Sequence, residues 1–329
     1  MRAPLTAART LGVLAALLLV AAVALAFALA TGTVAVAPAD VAAALLGERR
    51  DEAARIVREL RLPRALAAFA VGALLSLAGA LMQVLLRNPL ADPYVLGLSG
   101  GAAVGALAAL LLGASALVGP FAFAGALAST LAVFALARGG TQGAWAPTRL
   151  LLTGVVVAAG WGALIALMLA LAPAAQVKGM VHWLLGDLAG APDATAPLVV
   201  LALVLVAAMA LARDLNAMAG TGPAAATLGV DVARVSLVLY VIASLATAAA
   251  VTTAGAVGFV GLVVPHALRL ALGNDQRLLL PAAAIAGGAL LVVADTLART
   301  VAAPLELPVG VLTALIGVPM FLWLLRREG

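Results

Sequence analysis

Arg61-Leu62-Pro63-Arg64, the apolar run from Ala65 to Leu86, the turn Arg87-Asn88-Pro89-Leu90-Ala91-Asp92-Pro93 and the glycine-spaced stretch from Gly97 to Gly105 decide the fold of this chain. Arginines stand at both ends of the apolar run and none lies inside it. About 22 residues at 1.5 Å of rise each span roughly 33 Å, enough to cross the hydrocarbon core of a bilayer. The two prolines of the turn stop one helix and start the next. The reading is a membrane hairpin.

Composition extends that reading outward. Of 329 residues, 65% are hydrophobic and 10% are charged, whereas a soluble domain carries about a quarter charged. The class is therefore all-α and polytopic, a single transmembrane domain over residues 1–329. The absence of cysteine excludes disulfides, thiolate zinc sites and thiol nucleophiles. The net charge of +5 is a poor argument for nucleic-acid binding, because no basic patch interleaved with aromatics exists.

Apolar runs recur at 11–30, 65–86, 94–112, 118–138, 149–172, 196–212, 235–255, 258–272, 278–298 and 305–325, about ten spans. The basic start and the first run resemble a signal peptide. Its apolar region is about 7–15 residues long, however, so a retained first helix is expected. Ten spans put both termini on one side. With both termini cytoplasmic, Arg2, Arg9, Arg87, Arg138, Arg149, Arg213, Arg234, Arg269, Arg277, Arg326 and Arg327 fall inside, as the positive-inside rule requires. Six of the eight remaining basic residues belong to one connection, Thr31 to Arg64, leaving Lys178 and Arg299 outside. Gly97, Gly101 and Gly105 share a helix face, as do Gly72, Ser76 and Ala80, and both ladders are expected to serve close helix packing.

What is missing narrows the chemistry. The single lysine, Lys178, lies in no G-x-x-x-x-G-K-[ST] loop, so no nucleotide site is expected and the chain is not read as an enzyme. The only histidines, His182 and His266, are far apart and form no metal-binding pattern. His266, after Pro265, is expected to bond freed backbone rather than a ligand. Asp295 is the main carboxylate within a span, and such scarcity disfavours the alternative of an ion-coupled secondary transporter. Asp295 and Arg299 are spaced for an ion pair on one helix face. Arg61, Arg64 and Arg299 form an outer basic set, either solvated charge at helix ends or fixed forks for a partner's carboxylates. The stretch from Arg213 to Arg234, with Gly220-Thr221-Gly222-Pro223 and Leu228-Gly229-Val230, is either a structured loop or a short helix that receives force from a cytoplasmic subunit.

Five motifs in order carry a resemblance over essentially the whole chain. They are Arg61-Leu62-Pro63-Arg64, Arg87 to Pro93 with Leu96-Gly97, Gly258-Phe259-Val260-Gly261-Leu262-Val263-Val264-Pro265-His266 with Arg269, Glu306-Leu307-Pro308-Val309-Gly310, and Gly317-Val318-Pro319-Met320-Phe321-Leu322. The chain resembles the FecCD/BtuC-type permease subunits of binding-protein-dependent ABC importers for iron-siderophores, haem and vitamin B12. The resemblance implies a type II importer fold of ten helices in the bacterial inner membrane. It also implies a second permease copy as homodimer partner, two cytoplasmic ATPase subunits, a periplasmic binding protein and a metal-chelate substrate, with no cofactor of its own. By the same resemblance Arg61, Arg64 and Arg299 dock the binding protein, and Leu228, Gly229 and Val230 couple to the ATPase. Asn88, Leu90, Pro147 and Thr148 correspond to the cytoplasmic gate, with Pro147 standing where some relatives carry a small hydroxyl residue.

Overall fold

The computed structural model describes residues 6–32, 34–49, 51–138, 147–190 and 193–328. Arg2 and Arg50 lie outside the described residues, as do the side chains of Arg138, Pro147 and Arg327. All regular structure among the described residues is helical.

The chain opens with α1 (Ala7–Ala30), whose first turn is capped by the Thr6 hydroxyl accepting from the Arg9 amide at 3.3 Å. Outside the first span come α2 (Pro38–Leu45) and α3 (Glu52–Arg55), the latter capped by Asp51. A π-helical turn, Ile56–Arg61, then feeds without a break into α4 (Leu62–Leu85). Arg87, at a left-handed φ of 51°, ends that helix, and a 3-10 turn, Pro93–Leu96, follows, capped by Asp92 accepting from the Tyr94 amide at 2.8 Å. Next are α5 (Leu98–Leu111), α6 (Val118–Arg138), α7 (Pro147–Leu171), α8 (Ala174–Leu184) and α9 (Thr195–Ala210). The chain then bends by 60° into α10 (Ala212–Thr221), followed by a 3-10 run, Gly222–Leu228. It finishes with α11 (Val232–Ala254), α12 (Val260–Leu272), α13 (Gln276–Ala298) and α14 (Val309–Glu328).

Each of the ten apolar runs carries a helix, but the helices are not equal. Six are long and apolar enough to cross a membrane (α1, α4 with its leading turns, α6, α7, α11 and α13), and the bent pair α9–α10 makes a seventh. The others are shorter: α5 has 14 residues and α12 has 13, roughly 20 Å each. Backbone conformation limits both. Gly97 at φ 69° and Phe259 at φ 68° start them from left-handed positions that no helix can run through.

α4 is the hub. Every residue from Ala70 to Leu86 is buried, and the helix packs on α13, α11, α12 and α9. Missing side chains allow that approach. A Cβ on Gly72 would lie 2.2 Å from the Gly287 carbonyl oxygen of α13, and one on Gly79 would lie 1.8 Å from the Gly261 oxygen of α12. Packing replaces the hydrophobic effect as the cohesive force between membrane helices, so such contacts carry the fold. The second ladder needs one correction. Gly101 and Gly105 do face α6, against Gly125 and Phe121, but Gly97 precedes the helix and sits against α7 beside Ala158 and Gly154. Its left-handed φ, rather than a shared face, accounts for glycine there.

Candidate functional site

The two ends of α4 carry two polar constellations. At the end where α4 begins, all three arginines of the outer set converge, and none stands as a free fork in solvent. Arg61 is turned inward, 5% exposed. Its Nη1 donates to the Leu29 carbonyl at 2.7 Å and its Nη2 to the Val34 carbonyl. It thereby satisfies a carbonyl left over in the last turn of α1 and ties the connection just beyond it to α4. Arg64, one turn on, donates from Nε to both Asp295 oxygens at 3.1 Å and from Nη2 to Asp295 Oδ1 at 2.9 Å. Its Nη1 reaches Glu306 Oε2 at 2.9 Å. Arg299 places Nε 3.5 Å from Asp295 Oδ2 and donates from Nη2 to the Ala28 carbonyl at 2.9 Å.

The expected Asp295–Arg299 pair is therefore present, but it is secondary. Asp295 is 2% exposed, and its main partner is Arg64 on another helix. A carboxylate this deep in the protein is tolerable only when its lone pairs are taken up by cations held in place. Sequence spacing could reveal the i,i+4 neighbour, while Arg64 and Glu306 are brought in by tertiary packing. The arginines and Glu306 border an open cavity of about 620 Å³, lined also by Glu59 and Leu188.

At the opposite end of α4 the other predicted residues appear. The Asn88 side-chain oxygen accepts from the Leu90 amide at 2.9 Å, closing the turn on itself, and Leu90 is 37% exposed. Pro147 and Thr148 open α7, with Thr148 exposed. Among the described residues no hydrogen bond joins Thr148 to Asn88 or Leu90. The Arg213–Arg234 connection is mostly helical: α10, the 3-10 run, and then a stop at Gly229 with φ 86°. Leu228 and Gly229 are exposed and Val230 is partly covered. A Cβ on Gly229 would meet no atom within 4 Å, so this tip projects from the bundle.

One tie holds that tip, and residue spacing does not reveal it. Asn216 of α10 bridges to the start of α13, donating to Asp275 Oδ1 at 2.9 Å and accepting from the Gln276 amide at 2.7 Å. The Arg277 guanidinium bonded to Asp275, together with Asn216 and the Arg277 amide, holds the Asp275 carboxyl down at about 2. Arg9 donates to the Leu272 carbonyl at 3.4 Å. Arg9, Arg87 and Arg277 thus lie toward the end of α4 opposite Arg64 and Arg299. His266 is 1% exposed and packs against the Phe321 ring at 6.4 Å between centroids. Among the described residues no three His, Asp or Glu side chains converge to hold a metal.

Residues 17–327 match the FecCD transport family. The chain is 47% identical over 276 residues to the cobalamin import system permease protein BtuC of Halobacterium salinarum, covering 82% of this chain and 73% of that one. It is 42% identical over 281 residues to the hemin transport system permease protein HmuU of Yersinia pestis, covering 82% of each. Among solved structures it superposes with a TM-score of 0.82 and 27% identity on a metal-chelate type ABC transporter in an inward-facing conformation, over 97% of this chain and 99% of the other.

Proposed function

The chain belongs to the FecCD transport family, and from that premise we propose that it is the membrane permease of an ABC importer that brings a metal chelate into the cell, by alternating access powered by partner ATPase subunits. The observation that carries the reading is the family match over residues 17–327, nearly the whole chain. The chelate belongs to the class of cobalamin, haem or an iron-siderophore, since relatives named for cobalamin and for hemin are similar to it at 47% and 42% identity. In this reading the chain resides in the bacterial inner membrane with both termini in the cytoplasm, as the arginine distribution favours. A second copy completes the pathway. The chain supplies no nucleotide chemistry, and hydrolysis belongs to the partners.

Roles then follow position. Arg64 and Arg299 border the outer cavity and present positive charge to acidic side chains of a periplasmic binding protein, with Arg61 beneath them holding the end of α1 in place. Leu228, Gly229 and Val230 are the projecting tip against which an ATPase subunit pushes. Asn88 and Leu90, with Pro147 and Thr148 at the head of α7, narrow the inner mouth. The test is uptake of cobalamin and of haem into proteoliposomes holding the permease with its ATPase and binding protein. Uptake of at least one chelate that requires ATP and both partners is expected. Uptake by the permease alone under an ion gradient would replace this reading with a secondary transporter.

A further inference from the structure

We propose that Glu306 is an internal stand-in for the docking partner's carboxylate, so that docking at the outer cavity proceeds by carboxylate exchange on Arg64. The inference rests on the docking role given above to Arg64. The Arg64 guanidinium is divided between two acids of opposite character. Nε and Nη2 are committed to Asp295, whose side chain is 3% exposed, while Nη1 goes to Glu306, whose side chain is 51% exposed. The Asp295 side is pinned further by Arg299 at 3.5 Å. An exposed pair contributes little net stability, whereas breaking a buried one leaves an uncompensated charge. Only the Glu306 bond can therefore open cheaply.

The backbone permits that opening. Glu306 lies in the non-helical stretch between α13 and α14, outside both helices, so it can swing without disturbing a span. It borders the same cavity as Arg64 and Arg299, so a side chain entering there meets the Nη1 arm as Glu306 leaves it. The second acid bordering the cavity, Glu59, lies 3.6 Å from Arg55 and leaves Arg64 to Glu306. The fitting occupant is a protein surface that presents an Asp or Glu side chain long enough to enter the cavity. One carboxylate replaces another, so Arg64 never has to be stripped of a counter-charge, and docking energy is the difference between two similar pairs. Such a surface binds specifically and releases readily.

The test uses the assembled transporter in lipid nanodiscs and its cognate binding protein, with dissociation rate and Kd measured at low and moderate salt. Glu306→Gln removes the competing charge and is expected to tighten docking roughly fivefold, mostly through slower release and more strongly at low salt. Glu306→Asp is expected to behave like the parent. Unchanged or weaker docking of Glu306→Gln overturns the exchange. Arg64→Gln separates the two ideas: if it weakens docking while Glu306→Gln fails to tighten it, only the stand-in role falls. If Arg64→Gln leaves docking unchanged, the docking role falls and this inference with it.

Discussion

Arg64 and Asp295 stand 231 residues apart in the chain, yet the guanidinium grips the carboxylate with two nitrogens at 2.9–3.1 Å. The contact pins the start of α4 to the end of α13, and Gly72 against Gly287 closes the same pair of helices further along. The two helices form one unit, clamped by charge at the rim and by missing side chains beneath it.

Asp295→Ala should be costly, because it leaves Arg64 and Arg299 facing each other with little left to neutralise them. A loss of about 3–5 kcal/mol is expected for removing one member of a buried pair. Replacing the closest pair by apolar residues, Arg64→Met with Asp295→Leu, should recover part of it, the remainder belonging to Arg299, which loses the same carboxylate. Thermal unfolding in detergent measures both, and a double variant as unstable as the sum of the singles would show that the pair is not the source.

Gly79→Ala should prevent α4 from seating against α12, since its Cβ would lie 1.8 Å from the Gly261 oxygen. Neither backbone can yield, so little folded protein is expected after extraction. Gly160→Ala on α7 meets nothing within 4 Å and is the matched control, expected to express and melt like the parent.

Gly229→Val places a β-branched residue at φ 86° in otherwise open space. The penalty is local and conformational, about 1–2 kcal/mol, so the bundle should survive while the tip changes shape. If the tip receives the ATPase stroke, ATP hydrolysis continues while uptake per ATP drops several-fold. Gly229→Asn, which tolerates left-handed backbone, should be milder. Equal uptake per ATP in Gly229→Val and the parent would remove the tip from the coupling path.

Asp275 makes stability depend on acid. Its carboxyl is held at about 2 in the folded protein, against about 3.9 in an unfolded chain. The folded state therefore binds fewer protons between those values. The stabilisation is complete above the unfolded value and is lost as pH falls through about 2. Asp275→Asn keeps the cap but loses the charge, so at pH 7 its melting midpoint should lie about 2–4 °C lower. The two midpoints should converge at the acid end, and a constant offset across the whole range would mean that hydrogen bonding alone, not charge, is involved.

How much of this is legible in the sequence depends on which forces leave a mark there. All ten apolar runs became helices because a stretch without charge is the direct signature of a bilayer. Their ranking did not show. α1 and α4 are both 24 residues long and apolar all round, yet α4 is engulfed and α1 lies at the periphery. In a membrane, lipid and protein are equally apolar solvents, so hydropathy cannot separate the two fates. Charge placement singles out Arg61, Arg64 and Arg299, but the partners of the first two, Leu29, Asp295 and Glu306, and the Ala28 carbonyl that Arg299 reaches come from elements distant in the chain. Spacing alone places Gly97 on a packing face, whereas its left-handed φ gives it a turn's role. Asn216, an ordinary loop residue by type, holds the inner connection to α13 through contacts that spacing alone does not show.

The π-helical turn at Ile56–Arg61 has an effect on phase. Each residue in a helix advances the direction of its side chains by about 100°, and a π turn accommodates one extra residue without breaking the rod. Deleting a single exposed position there, such as Leu60, would let the turn close to ordinary α geometry with α4 still seated and Arg55 still facing the same way. The same deletion in the ordinary helix beyond, which has no spare residue, would rotate one flank against the other by about 100°. The turn is thus a stretch of slack in the rod, one residue deep, that keeps the two flanks in register.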